Sequence, residues 1–378
     1  MEPLKPEVMI KQVEGLAGDL RALTRPFAQQ IRTVLTPLEW RAVNKVYLTG
    51  DGDSYHASCA AEMAFETIAD IACTPMSAQR FLNYGVPWMR HAEPHLTLVV
   101  ATSASGGTTR VVQAIERAKA HGALTIALTG IPNSTVTQVA DRTIVVELPQ
   151  QQRSPGIRTY QASLLGLLLV AMQLGEMRNT YGQDEANNLR QELAALADVV
   201  DATNNAIKER CREVADMIAH TPTMVMVGSG PSYGTALFSA AKVVEAAGIL
   251  AIGQDLEEWW HVERFAYPVD MPVFVIAPPG RSYWRAGDLA ATARGLGRRV
   301  IAVTHKDDTE VTRHASVVLP IQGTVREEFS PVLYPLFASY VASYVAARLG
   351  RALFQSDRPA LLQSVDEYYA SLPHDATH

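Results

Sequence analysis

Four short stretches of the chain carry residues able to do chemistry. The first, Ser103-Ala104-Ser105-Gly106-Gly107-Thr108, joins three hydroxyls to two adjacent glycines. Glycines let backbone N–H groups approach an anion, and a helix starting there adds partial positive charge, so the stretch can cradle a phosphate. An ordinary capped Ser/Gly turn has the same composition, and the Gly-Lys-Ser/Thr ending of a Walker loop is missing. The second, Gly50-Asp51-Gly52-Asp53-Ser54, is another glycine turn. Gly-x-Gly alone says little, but two such turns at one sheet edge would face one crevice. The third is the pair Lys242 and Glu245, three apart in TALFSAAKVVEAAG and therefore on one helix face. That pair suits either the solvent edge of the helix or a cleft. The fourth, Glu257-Glu258-Trp259-Trp260-His261, sets a histidine beside two indoles. Histidine transfers protons near neutral pH; the alternative is a loop that packs its aromatics, with His261 incidental.

These residues need elements to hold them. The apolar run Val46–Leu48 leads into the first glycine turn, and a helix pattern over about Ser58–Ala72 follows. A strand at Leu96–Ala101 leads into the Ser/Gly turn. A helix over about Thr108–Ala120 then ends against Gly122, and a strand covers Leu124–Leu128. Strand, turn and helix alternating in this way predict an α/β fold with a parallel sheet covered on both faces. The strands are apolar throughout, as two covered faces require.

The series then recurs. VMVGSGPSY mirrors YLTGDGDSY, VFVIA (Val273–Ala277) mirrors LVVAT (Leu98–Thr102), and VIAVT (Val300–Thr304) mirrors TIALT (Thr125–Thr129), at a nearly fixed offset of 175–178 residues. Matched strands at a fixed offset indicate a duplicated domain. The expected layout is an N-terminal helical segment (1–42), a first domain (43–176), a helical linker (177–218), a second domain (219–350) and a polar tail (351–378). Leu16, Leu20 and Leu23 form an apolar stripe on the first helix, with Asp19 and Arg21 off it. Ala162–Leu174 and Pro335–Leu349 read as buried helices.

Composition narrows the function. With 378 residues and 41.2 kDa, the chain suits about two domains. Apolar residues make up 48% and charged residues 19%, which supports a full-sized core. A net charge of −6 disfavours binding to a nucleic-acid backbone. Cys59, Cys73 and Cys211 are scattered and odd in number, so neither a zinc ribbon nor a disulfide framework is expected. The start, MEPLKPEVMIKQVEG, has no basic and apolar signal pattern, and Ala162–Leu174 is too short to span a bilayer. The expectation is a cytoplasmic protein with no membrane partner. The glycine turn lacks the third glycine and the acidic residue of a dinucleotide site, which disfavours a nicotinamide dehydrogenase.

The duplicated Gly-x-Gly and Ser-x-Ser-Gly-x-Thr arrangement resembles the sugar isomerase (SIS) domain. The paired layout, over about residues 43–365, resembles the isomerase half of glucosamine-6-phosphate synthase and the fructosamine-6-phosphate deglycases. That resemblance implies two tandem SIS domains, each a flavodoxin-like parallel sheet flanked by helices. It implies phosphate binding by Ser103, Ser105 and Thr108, with Ala104, Gly106 and Gly107 in the same loop, and a sugar-side hydroxyl at Ser54 beside Gly52. It makes Glu245 the carboxylate that moves a proton between C1 and C2, with Lys242 near it. His261 becomes the group that opens the ring or protonates a leaving group. In the family that histidine can arrive from the neighbouring subunit, so a homodimer is implied. The chemistry calls for no metal or organic cofactor.

The departures are as informative. No glutaminase half with its cysteine nucleophile is present in the sequence, so amidotransfer from glutamine is not expected. Gln363 stands where the synthase has a Schiff-base lysine, and glutamine cannot form an imine. His261-Val262-Glu263 replaces His-Gly-Pro. Asp53 stands where the synthase has a threonine, and Arg158 falls near a serine position by the sugar. Asp53 could therefore read a substrate ammonium and Arg158 a second anion, as a 6-phosphofructosyl amino acid would require; helix capping by Asp53 and a surface role for Arg158 are the alternatives. The reading is a phosphosugar isomerase or deglycase. A non-catalytic sugar-phosphate sensor would need the phosphate loop but neither Glu245 nor His261. The partner loop of the second turn, Pro278-Pro279-Gly280-Arg281, has lost its serines, so one site per subunit is expected.

Overall fold

The computed structural model describes residues 3–89, 96–149, 152–358, 360 and 363. Chain order begins with α1 (Glu7–Val34), α2 (Pro37–Ala42), β1 (Lys45–Gly50), α3 (Asp53–Thr67) and β2 (Ala72–Ser77). Short helices α4 (Ala78–Arg80) and α5 (Val86–Met89) lead to β3 (Thr97–Ser103), α6 (Thr109–Ala120), β4 (Leu124–Thr129), α7 (Thr135–Val139) and β5 (Arg142–Val145). Two long helices follow, α8 (Arg158–Met177) and α9 (Gln183–Ile218). The second unit runs β6 (Thr223–Val227), α10 (Pro231–Ala247), β7 (Leu250–Gln254), α11 (Leu256–His261), β8 (Pro272–Ala277), α12 (Tyr283–Gly295), β9 (Arg299–His305), β10 (Val317–Ile321) and α13 (Leu336–Arg348).

Both sheets are parallel and five-stranded, with the same order: β2-β1-β3-β4-β5 and β7-β6-β8-β9-β10. The duplication extends to single dihedral angles. Gly52 sits at φ +54°, ψ −127°, and Gly230 at φ +57°, ψ −130°, a region only glycine enters without strain. This turn is tighter than the sequence pattern suggests: α3 begins at Asp53, immediately after Gly52, and not near Ser58. Of the four outer strands, β2 and β5 carry no unbroken apolar run and β7 only a short one, because an edge strand is covered less completely than a central one; β10 is apolar but contains Pro320. Pro75 is tolerated in β2 because that strand is an edge.

The central strands read as unbroken apolar runs because both of their faces are buried. Leu98 and Val100 of β3 point into a core that continues through both units, together with Phe274 and Ile276 of β8. Val99 and Ala101 point the other way, under α6; Val273 and Val275 do the same under α12. The shared core contains the packed helices α3, α8, α10 and α13, with α1 and α9 laid against them. Tyr160–Gly175 of α8 is buried at every position, which explains the uninterrupted apolar composition of Ala162–Leu174. Glu327–Arg348 has the length and apolar character of a membrane span, and 94% of its most apolar window is buried inside the molecule. Helices α3 and α10 touch at backbone distance: a Cβ on Gly234 would lie 2.4 Å from the Ala60 nitrogen.

Candidate active site

Both glycine turns of the first unit lie at the carboxyl ends of adjacent strands. β1 pairs directly with β3, so Gly50–Asp53 and Ser103–Thr108 share one rim of the sheet. Thr108 is the N-cap of α6, yet its side chain does not cap the helix. Its hydroxyl lies 3.0 Å from that of the buried Ser103 instead. The first-turn amides of α6 therefore keep their hydrogen-bonding capacity for an anion. Ser105 and Gly107 are exposed on the outside of this turn, and Ala104 is half-buried. The first turn of α3 also has no side-chain cap, and Ser54 is buried in it.

The second rim of the site comes from α10. Lys242 is fully buried, and its Nζ lies 2.6 Å from Asp53 Oδ2 and 2.5 Å from Glu245 Oε2. The Asp53 contact is a hydrogen bond; the Glu245 carboxylate holds the same ammonium as an ion pair. The aliphatic part of the lysine passes the Phe238 ring, with Nζ 4.9 Å from its centroid, and Phe238 stacks on Tyr160 of α8 at 3.9 Å. His56 faces the other Asp53 oxygen at 3.7 Å. Gly156 closes the cluster: a Cβ there would lie 2.4 Å from Asp53 Oδ2. Lys242 is therefore buried against the first unit, and Glu245 is partly exposed beside it, so the pair is not a solvent edge.

Charge in this cluster follows from burial and neighbours. Burial pushes the Glu245 carboxyl above its ordinary value, and the Asp53 charge adds to that, against the pull of Lys242. Asp53 moves the other way: burial opposes its ionisation, but Lys242 and His56 outweigh that and hold it ionised. Burial works against the Lys242 charge as well, yet its two carboxylates raise its proton affinity. Glu245 is 31% exposed, and beside it opens a cavity of about 740 Å³ lined by Gly350, Arg351, Phe354, Asp357 and Arg358 among others. The Glu245 carboxylate is thus held by a cation on one side and open to a space that can take a small molecule on the other.

Three expected site residues are placed differently. Arg158 grips Asp19 of α1 with two hydrogen bonds of 2.6 Å and donates a third to the Pro149 carbonyl. Three of its five N–H donors are engaged and its charge is paired with Asp19, so it anchors α1 in place of standing free for a second anion. Asp53 binds the chain's own ammonium in place of a substrate's, and it does not cap α3. His261 is 68% exposed and lies 3.3 Å from Glu257 one helical turn back. Because α10 runs antiparallel to the strands, Glu245 stands by the start of β7 and His261 beyond its end. Within one chain the two residues lie at opposite edges of the second sheet.

Residues missed in the sequence include His56, Gly156, Tyr160 and Phe238. The i, i+3 spacing from Asp53 to His56 was visible; the others depend on which helices pack together. The second unit's equivalent of the phosphate loop is filled from within. Glu327 accepts a hydrogen bond from the Arg281 amide at 3.0 Å, and its carboxyl carbon would lie 2.3 Å from a Cβ on Gly280. A carboxylate of the chain itself therefore occupies the place of an external anion there. The cysteines are buried and unpaired, and burial pushes the Cys59 thiol up to about 11.

Fold and site together define an α/β protein with a duplicated five-stranded parallel sheet, whose first copy carries two uncapped glycine turns at one rim. The SIS domain model matches residues 41–172 and 217–349, and the chain belongs to the SIS domain family. It is 27% identical over 353 residues to a glutamine–fructose-6-phosphate aminotransferase (isomerizing) of Gloeobacter violaceus, covering 92% of this chain and 55% of that one. The enzyme of the same name from Streptomyces coelicolor is 27% identical over 82% of this chain and 50% of its own length. The chain thus spans about half the length of these curated relatives. The fold also matches solved structures. The C-terminal domain of the Francisella tularensis glucosamine-fructose-6-phosphate aminotransferase superposes with a TM-score of 0.79 at 16% identity, covering 91% of this chain and 97% of that one. The Escherichia coli tagatose-6-phosphate ketose/aldose isomerase superposes with a TM-score of 0.75 at 16% identity, covering 94% and 97%.

Proposed function

We propose that this protein is a phosphosugar-processing enzyme, of the aldose–ketose isomerase or fructosamine-6-phosphate deglycase type. The observation that carries the reading is the Glu245 carboxylate, held by a buried ammonium and open to a cavity on the fold of a sugar-phosphate family. Its relatives are named for fructose 6-phosphate, and its structural neighbours for tagatose 6-phosphate and glucosamine 6-phosphate. In the proposed reaction the uncapped start of α6, with Ser103, Ser105 and Thr108, holds the phosphate and fixes the sugar's position. Glu245 takes the proton from the carbon next to the open-chain carbonyl and returns it to the adjacent carbon. With oxygen at C1 this exchanges ketose for aldose. With an amine at C1, protonation at C2 leaves a C1 imine, and addition of water releases the amine and an aldose phosphate.

Lys242, buried behind the carboxylate, holds Glu245 in place beside the cavity. His261 acts from the partner subunit of a homodimer, opening the ring or protonating the leaving amine. Incubating the protein with fructose 6-phosphate, glucose 6-phosphate, glucosamine 6-phosphate and a 6-phosphofructosyl amine, followed by proton NMR, tests the reading. Interconversion or amine release on any of these supports catalysis. Tight binding with no turnover on the whole panel points to a sugar-phosphate sensor.

A further inference from the structure

We infer that Asp53 is a positioning residue that pins Lys242 as a permanent cation between two carboxylates, leaving Glu245 as the group that moves the proton. The inference rests on the proton-shuttle reading above and assigns a role to a residue type that departs from the threonine the resemblance would place there.

The geometry gives three reasons. Lys242 has no exposed surface, and its Nζ lies 2.6 Å from Asp53 Oδ2 and 2.5 Å from Glu245 Oε2. An amine must lose its proton before it can attack a carbonyl. A lysine locked between two carboxylates keeps that proton, so it does not replace the imine-forming lysine whose position Gln363 takes. Second, one lysine facing two carboxylates gives a cluster with one negative charge in excess. That excess is shared by Asp53, the more buried of the two, and Glu245, which opens to the cavity. Third, Asp53 is fixed from both sides, by Lys242 and by Gly156, which leaves no room for a Cβ against Oδ2.

The groups that face this cluster are few. From α3 come Asp53 and His56, whose Nδ1 is 3.7 Å from Asp53 Oδ1. From α10 come Lys242 and Glu245. From α8 comes the buried Tyr160 hydroxyl, which the Asp53 charge helps to keep protonated after burial itself. The segment after α13 brings Arg351, Asp357 and Arg358 to the cavity beside Glu245. Besides Glu245 itself, Asp53 is the carboxylate that meets the ammonium, at 2.6 Å. Its loss leaves Lys242 to Glu245 alone, and Glu245 then ionises more readily.

The test is a carboxyl titration that does not depend on turnover. Protein labelled with 13C at glutamate Cδ is titrated by NMR, with the Glu245 signal assigned by its loss in Glu245→Gln. In Asp53→Asn the Glu245 midpoint should fall by at least about one pH unit, the size expected for a charge within a few ångströms. Asp53→Thr should give the same fall, and serves where the asparagine variant does not fold. The ring signal of His121, at the end of α6 and outside the cluster, is followed in the same samples and separates a change at Glu245 from a general shift. An unchanged Glu245 midpoint in a folded variant overturns the role of Asp53. A wild-type protein that never exchanges a sugar proton overturns the proton-shuttle reading instead, while the titration still decides what Asp53 does.

Discussion

Glu245 shows how much of a role is set by surroundings. A glutamate on solvent would ionise near its ordinary value and make a weak base at neutral pH. Here burial and the Asp53 charge raise its proton affinity, and Lys242 opposes them. A base must be ionised to accept a proton, so activity should rise with pH on a limb that lies above the ordinary glutamate range. Exchange rates measured from pH 4 to 8 check this; a limb at the unperturbed glutamate value would mean that the carboxylate is solvated in the working enzyme. The i, i+3 spacing of Lys242 and Glu245 was legible in the sequence, because helix geometry fixes it. That Asp53 would answer the lysine was not, because the two lie 189 positions apart. The same limit applied to Arg158: nothing local marks Asp19, which flanks an apolar stripe, as its partner.

Among the elements, the central strands and the helices after them were readable because two covered faces demand unbroken apolar runs. The edge strands were not, since ACTPMS and RTIV satisfy that demand only in part and the proline in VVLPI argues against a strand interior. The tightness of the Gly52 turn escaped too, because a left-handed glycine shortens the loop without changing its composition. The contact of α3 with α10 matters most for function, since it brings the first unit's turn to Lys242. Gly234 permits that contact, with the Ala60 backbone at 2.4–2.7 Å from any added Cβ. Gly234→Leu should therefore push the helices apart, costing at least about 1–3 kcal/mol as an overpacked core does. Urea unfolding measures that cost, and the stability should fall together with the affinity for sugar phosphate. A variant of unchanged stability would mean that the two helices can slide without penalty.

At the scale of the whole molecule, one core runs through both units, so the contact of Lys242 with Asp53 and Glu245 is built on a common support. The duplication is geometric, but only the first unit keeps an open anion loop; Glu327 closes the second. His261 is the residue this arrangement leaves outside, exposed and at the far edge of its own sheet. If it serves a neighbour, Glu245→Gln and His261→Ala chains should each be inactive alone and regain activity when mixed. Random pairing in a two-fold dimer restores one intact site in half of the molecules, or about a quarter of wild-type activity. No recovery in dimers shown to exchange subunits would mean that His261 does not serve the neighbour's site.

The most direct measurement is solvent deuterium exchange at C1 of fructose 6-phosphate and of a 6-phosphofructosyl amine, in wild-type protein and in Glu245→Gln. The account predicts loss of the C1 proton signal in the wild type on at least one of them. It also predicts a fall of about 10²-fold or more in the variant, the contribution of a positioned general base. Exchange that proceeds equally well in Glu245→Gln would contradict it, since no proton would then pass through the carboxylate on which the whole arrangement converges.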